Sequence, residues 1–163
     1  MPDQETIDRA REDAREGKSP STQAGEFVRQ EIDHIREGKH GAKSTEQAIA
    51  IGLSEARRAG IDVPLSKSSS PATRKQAKRD IARGRKPQRK VSATRSRAVQ
   101  KALKKEGRAA ASRGALSKHA RSSARSRSAG ERSSAARKAV RTKGAAGRSA
   151  AAKKAARTRA RRK

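Results

Sequence analysis

Seventeen residues, the whole complement of Leu, Ile, Val and Phe in a chain of 163, are all that is available for a core of large side chains. That is about a tenth of the chain, half the share expected of a globular protein, and low apolar content combined with high charge predicts disorder. Nine of the seventeen precede Asp62 and eight follow it. Any folded module is therefore small, and it belongs to the first half.

Charge divides the chain at the same place. Residues 1–62 hold 10 basic and 13 acidic side chains, whereas the remainder holds 34 basic and 3 acidic, for a total of +28. A field of that size attracts polyanions and opposes compaction by self-repulsion. The composition thus predicts three parts: an α-helical module over 1–62, a linker over 63–71 marked by the Pro64 to Pro71 stretch, and a basic arm over 72–163.

Composition also excludes chemistry. Without cysteine there is no disulfide, thiolate zinc site or cysteine nucleophile. One Phe and no Trp or Tyr remove the stacking platforms used on unpaired bases, while contacts to a duplex backbone survive that loss. The polar, acid-bearing start and the lack of any apolar run near 20 residues predict a cytoplasmic, unexported chain with no membrane span. The arm has no apolar helical face to insert, so an anionic membrane is not the expected partner.

Within 1–62 the periodicity predicts three helices. The first runs from about Gln4 to Glu16, with Ile7, Ala10 and Ala14 on one face. The second covers about Pro20 to Glu37 between an N-cap at Ser19 and a stop at Gly38, with Ala24, Phe27, Val28, Ile32 and Ile35 as its stripe. The third opens on the capping-box pair Ser44 and Gln47, ends near Gly60, and carries Ala48, Ile49, Gly52, Leu53 and Ala56 on one face. An internal glycine costs about 1 kcal/mol relative to Ala, so a close helix crossing at Gly52 is expected. Beyond the linker, Ser70 and Ser92 are start signals for helices ending at Gly84 and Gly107. RSSAARKAVRT at 132–142 recurs as RSAAAKKAART at 148–158, a period of 16. Ala, Arg and Lys favour helix, but nothing apolar supports it. The fold expectation is therefore mostly α, with two to three helices in the module and a largely disordered or conditionally helical arm.

No catalytic set emerges. Gly38-Lys39-His40-Gly41-Ala42-Lys43-Ser44-Thr45 superficially suggests a phosphate loop, but Ala42 separates Gly41 from Lys43 and a helix precedes it. Lys43 at a helix start is retained as a single phosphate contact. Glu31 and His34 have the Glu-x-x-His spacing of di-iron bundles without the second copy those need. All three histidines, His34, His40 and His119, are read as solvated or phosphate-adjacent, so no metal and no cofactor is expected. Serines beside arginines, as at Ser96 and Ser126, are sites where phosphorylation would subtract charge.

The segment GKHGAKSTEQAIAIGLSEARRAG, residues 38–60, resembles a group of small, basic, uncharacterised bacterial proteins sharing a KS-x-x-QAIAI-x-LSEAR-x-AG pattern. The resemblance implies a bacterial origin and a helical module, with no assigned activity. The Lys, Ala, Ser and Arg-rich tail resembles those of bacterial histone-like and linker-histone-like proteins.

Together these features predict a non-enzymatic, nucleoid-associated or histone-like protein that binds nucleic acid without sequence preference, DNA ahead of RNA, by neutralising phosphates. The residues expected to carry it are Arg137, Lys138, Arg141, Lys143, Arg148, Lys153, Lys154, Arg157, Arg159, Arg161, Arg162 and Lys163. The near-neutral module is expected to recruit a partner or to form a homo-oligomer through Phe27, Ile32, Ile49 and Leu53. The competing readings are an RNA- or ribosome-associated basic protein, and an interaction protein working through its helical module.

Overall fold

The computed structural model describes residues 2–65, 69–86 and 92–161, without the side chains of residues 142 and 143. Among these residues the chain forms seven α-helices and one 3-10 turn: α1 (Gln4–Arg15), α2 (Pro20–Glu37), α3 (Thr45–Arg58), α4 (Pro71–Gly84), α5 (Ala93–Lys104), the 3-10 turn Ala109–Ala111, α6 (Arg113–Arg125) and α7 (Ala129–Ala160).

The start and stop signals account for these limits. Pro20 opens α2 at the position where its missing N–H costs nothing, and Gly38 closes it in the left-handed conformation at φ 81°. Ser44, Ser70 and Ser128 each cap a helix by accepting from the backbone N–H three residues on. At Ser128 the box is complete, because the Glu131 carboxylate accepts from the Ser128 N–H at 2.8 Å.

Residues 1–119 form one compact unit. α2 packs on α1 and α3, α4 packs on α3, and the 3-10 turn packs on both α2 and α3. Two apolar clusters result. Ala10, Ala24, Phe27, Ala56 and Val63 form one, while Ile32, Ile35, Ala42, Ala48, Ala110 and Ala111 form the other. Burying a Val, Ile or Phe side chain stabilises by about 1.5–3 kcal/mol, and among the described residues only Phe27, Ile32, Ile35 and Val63 are buried apolar side chains larger than Ala.

The expectation of a largely disordered basic arm is overturned. Residues 71–86 and 92–161 are helical over most of their length, and part of that stretch completes the core. Thr45 Oγ1 donates to Ala110 O at 2.7 Å, the Gly41 N–H to Leu103 O at 2.9 Å, and the Ala42 N–H to Gly107 O at 3.2 Å. Counting Leu, Ile, Val and Phe underestimates what this chain buries, because it packs by close approach of small residues. An ideal Cβ on Gly41 would lie 2.0 Å from Glu106 O, and one on Gly84 would lie 2.4 Å from Arg57 O. Ala77 and Ala111 are buried against neighbours in the same way.

Residues 120–163 form the second unit, made of the last turns of α6 and of α7. Its helix rests on Ala, Arg and Lys propensity. Gly144, at φ 62° and ψ 178°, breaks α7 between the two copies of the 16-residue repeat, a conformation that glycine adopts without the Cβ penalty.

Candidate nucleic-acid interface

The cations of residues 1–62 are largely neutralised by neighbours. Arg9 bonds Glu5 and Glu26, Arg15 meets Glu12 at 2.9 Å, Lys18 meets Asp13 and Glu16, and Arg36 meets Asp33 at 3.5 Å. From residue 63 onward, three acids cannot pair 34 cations. Two of the three have structural duties: Asp80 is buried and holds α4 on α3, and Glu131 caps α7. The positive surface is therefore almost undiluted.

α7 is its clearest part. Every described side chain of α7 is exposed except Ala155, which is half-buried. Arg137, Lys138 and Arg141 in the first copy recur as Lys153, Lys154 and Arg157 in the second. Each trio has i, i+1, i+4 spacing, which gathers three cations on one side of a single turn. Arg148 lies just past the break, where its Nε donates to Gly144 O at 3.2 Å, and Arg159 and Arg161 are exposed at the helix end. The Lys143 side chain, and Arg162 and Lys163 altogether, lie outside the described residues.

Lys43 is exposed, one residue before the α3 cap. Its N–H donates to Gln47 Oε1 at 2.7 Å, and the Gln47 N–H is taken by Ser44 Oγ at 3.2 Å. Glu46 fills the first turn. The His119 imidazole, 2.8 Å away, holds its carboxyl down to about 2, helped by its own backbone N–H and the Ser44 hydroxyl. An anion arriving at this helix start therefore meets a carboxylate. The Gly38 to Ala42 loop itself is a seat for residues 103–107.

The fold also assembles a cleft that no local pattern announces. Arg36 from the end of α2, Arg108, and Arg113 at the start of α6 line an open volume of about 450 Å³ together with Ala111 and Ser112. Arg36 Nε donates to Ala111 O at 3.1 Å, and Arg108 Nη1 to Arg36 O at 3.5 Å. Seventy-seven positions separate the first and last of these arginines, so only the docked 3-10 turn brings them together.

Of the expected oligomerisation stripe, Phe27 and Ile32 are buried in the chain's own core, while Ile49 and Leu53 are half-buried. The fold further brings His40 to Glu31 and His34, with one ligating atom from each of the three within 4.8 Å of the others. The Glu-x-x-His spacing was the visible half of that cluster. The other half depends on the left-handed turn at Gly38, where the Lys39 N–H donates to His34 O and returns the chain over α2.

Residues 26–67 match the family model described as Family of unknown function (DUF6496). The match spans α3 and most of α2, about a quarter of the chain, and fits the resemblance to an uncharacterised family. No curated protein and no solved structure matches the chain. Among the described residues no helix is long and apolar enough to cross a membrane.

Proposed function

We propose that the chain is a non-catalytic protein that binds double-stranded DNA without sequence preference and acts on the nucleoid by neutralising and bridging phosphates. The observation that carries this reading is α7, a 32-residue helix that buries none of its described side chains and bears one acid against ten cations. Such a helix has no apolar face buried against its own chain, and the ligand that complements it is a polyanion.

The break at Gly144 supports the bridging part. Sixteen residues on a continuous helix advance about 24 Å and turn about 160°, which would point the two cation trios almost oppositely. A bend between them lets both follow one backbone or engage two. The Arg36, Arg108 and Arg113 cleft adds a second cationic site on the other unit. Duplex is favoured over single strands because the chain has no Trp or Tyr and its one Phe, Phe27, is fully buried.

The test is a salt series with the full chain and a variant carrying Gln at Arg137, Lys138, Arg141, Lys153, Lys154 and Arg157. Each phosphate contact contributes about −0.9 to the slope of log K against log salt. The variant is expected to flatten that slope by about 5 and to lose affinity equally for unrelated duplex sequences. An unchanged slope, or clear preference for structured RNA at equal salt, would overturn the reading.

A further inference from the structure

The Glu31 carboxylate is 3% exposed, and its Oε1 has no hydrogen-bond partner among the described residues. Its Oε2 lies 3.5 Å from His40 Nε2, too far for a good hydrogen bond. An uncompensated buried carboxylate is costly, and burial pushes this carboxyl up, with His40 opposing the shift and Glu55 adding to it.

The imidazoles are arranged to complement it. His40 Nδ1 lies 3.1 Å from Gly41 O, which only accepts, so Nδ1 carries a proton and Nε2 is the ring nitrogen that faces Glu31, the one able to take a metal once it carries no proton. A metal cation between Nε2 and the carboxylate would satisfy both groups. His34 Nε2 is 3.3 Å from Asp3 Oδ2, the carboxylate–imidazole pairing that orients a metal-binding ring and raises its basicity. The two rings meet edge-on with centroids 6.2 Å apart.

We propose that Glu31, His34 and His40 bind one divalent first-row transition cation, with Zn2+ the expected occupant and Asp3 as the carboxylate that orients His34. Two imidazoles and one carboxylate form a nitrogen and oxygen set suited to Zn2+, unlike the all-oxygen sets of Mg2+ and Ca2+. Bonds of about 2.0–2.1 Å in a tetrahedron place ligand atoms about 3.3–3.4 Å apart. The Glu31 to His40 separation of 3.5 Å is already close to that, and the half-buried rings leave room for His34 to close in from within 4.8 Å. The cation would tie the loop after α2 to the helix it leaves. That loop seats residues 103–107, so binding stabilises the docking of that segment.

The test is titration of the tag-free full chain with Co2+, followed by its visible d–d absorption, then displacement by Zn2+, with circular dichroism confirming that each variant is folded. One Co2+ per chain with the intense bands of a four-coordinate site is expected, together with a higher melting temperature. His34→Ala and His40→Ala are each expected to lower affinity by at least about 100-fold, and Asp3→Asn by about 10–100-fold, as for a group that acts through a ligand. His119→Ala is expected to bind as the parent does. Glu31→Gln should abolish the bands. Should that variant unfold, the two histidine variants decide the matter. Absence of stoichiometric binding, or parental affinity in His34→Ala and His40→Ala, would overturn the proposal.

Discussion

Gly52 sits where α3 crosses α2 so closely that a Cβ built on it would lie 2.7 Å from Val28 Cα, 2.9 Å from Val28 N and 3.0 Å from Phe27 O. These are backbone atoms with no rotamer to yield, so Gly52→Ala must push the two helices apart. Overpacking costs about 1–3 kcal/mol, which exceeds or at least matches the gain in helix propensity of about 1 kcal/mol. The variant is expected to melt several degrees lower. Parental or higher stability would show that the crossing is looser than these distances. Gly52 was legible in the sequence, because a glycine inside a well-capped amphipathic helix asks for a reason. Gly41 and Gly84 were not, since one sits in a loop and the other at a helix end, where glycine has ordinary explanations. Their contacts, Glu106 for Gly41 and Arg57 and Arg58 for Gly84, are fixed by tertiary docking alone.

At the scale of elements, Asp80 does for α4 what apolar side chains do for α2. Its carboxylate accepts from Ser54 Oγ, from Arg58 Nε at 2.9 Å and from Gln76 Nε2 at 3.3 Å, while Ala77 fills the adjoining contact. Burial by itself would push the Asp80 carboxyl up, but Ser54, Arg58 and Gln76 together outweigh it and hold it below the ordinary 3.8. A folded value below the unfolded one means stabilisation that is fully present above the unfolded value and lost as pH falls through the folded one. Asp80→Ala is therefore expected to cost about 1–3 kcal/mol at neutral pH and to remove part of the stability loss the parent shows below about pH 4. Denaturant titrations across pH check both, and parallel parent and variant curves below pH 4 would remove Asp80 from the account. Helix limits were largely readable, because Pro20, Gly38, Ser44, Ser70 and Ser92 act through local chemistry. Which helices dock was not, because α4 buries only Ala77 and Asp80, a pattern indistinguishable in sequence from a solvated basic helix.

For the whole molecule, the same scarcity of large side chains that suggested disorder divides stability unequally between the two units. Residues 1–119 share two apolar clusters and the hydrogen bonds joining the Gly38 to Ala42 loop to residues 103–107, so their helices open together at a cost set by the core. α7 buries none of its described side chains, so its amides are protected only by helix propensity and its caps. In native-state hydrogen exchange, amides within α2 and α3 are expected to exchange orders of magnitude more slowly than those of α7. Gly52→Ala should accelerate the first group and leave the second unchanged. Saturating duplex DNA should slow α7 most, because phosphate contacts reach a helix that lacks other support. Equal protection of α7 and α3 in the free protein would mean that α7 is held by apolar contact, and the case for a polyanion as its partner would lose its main support.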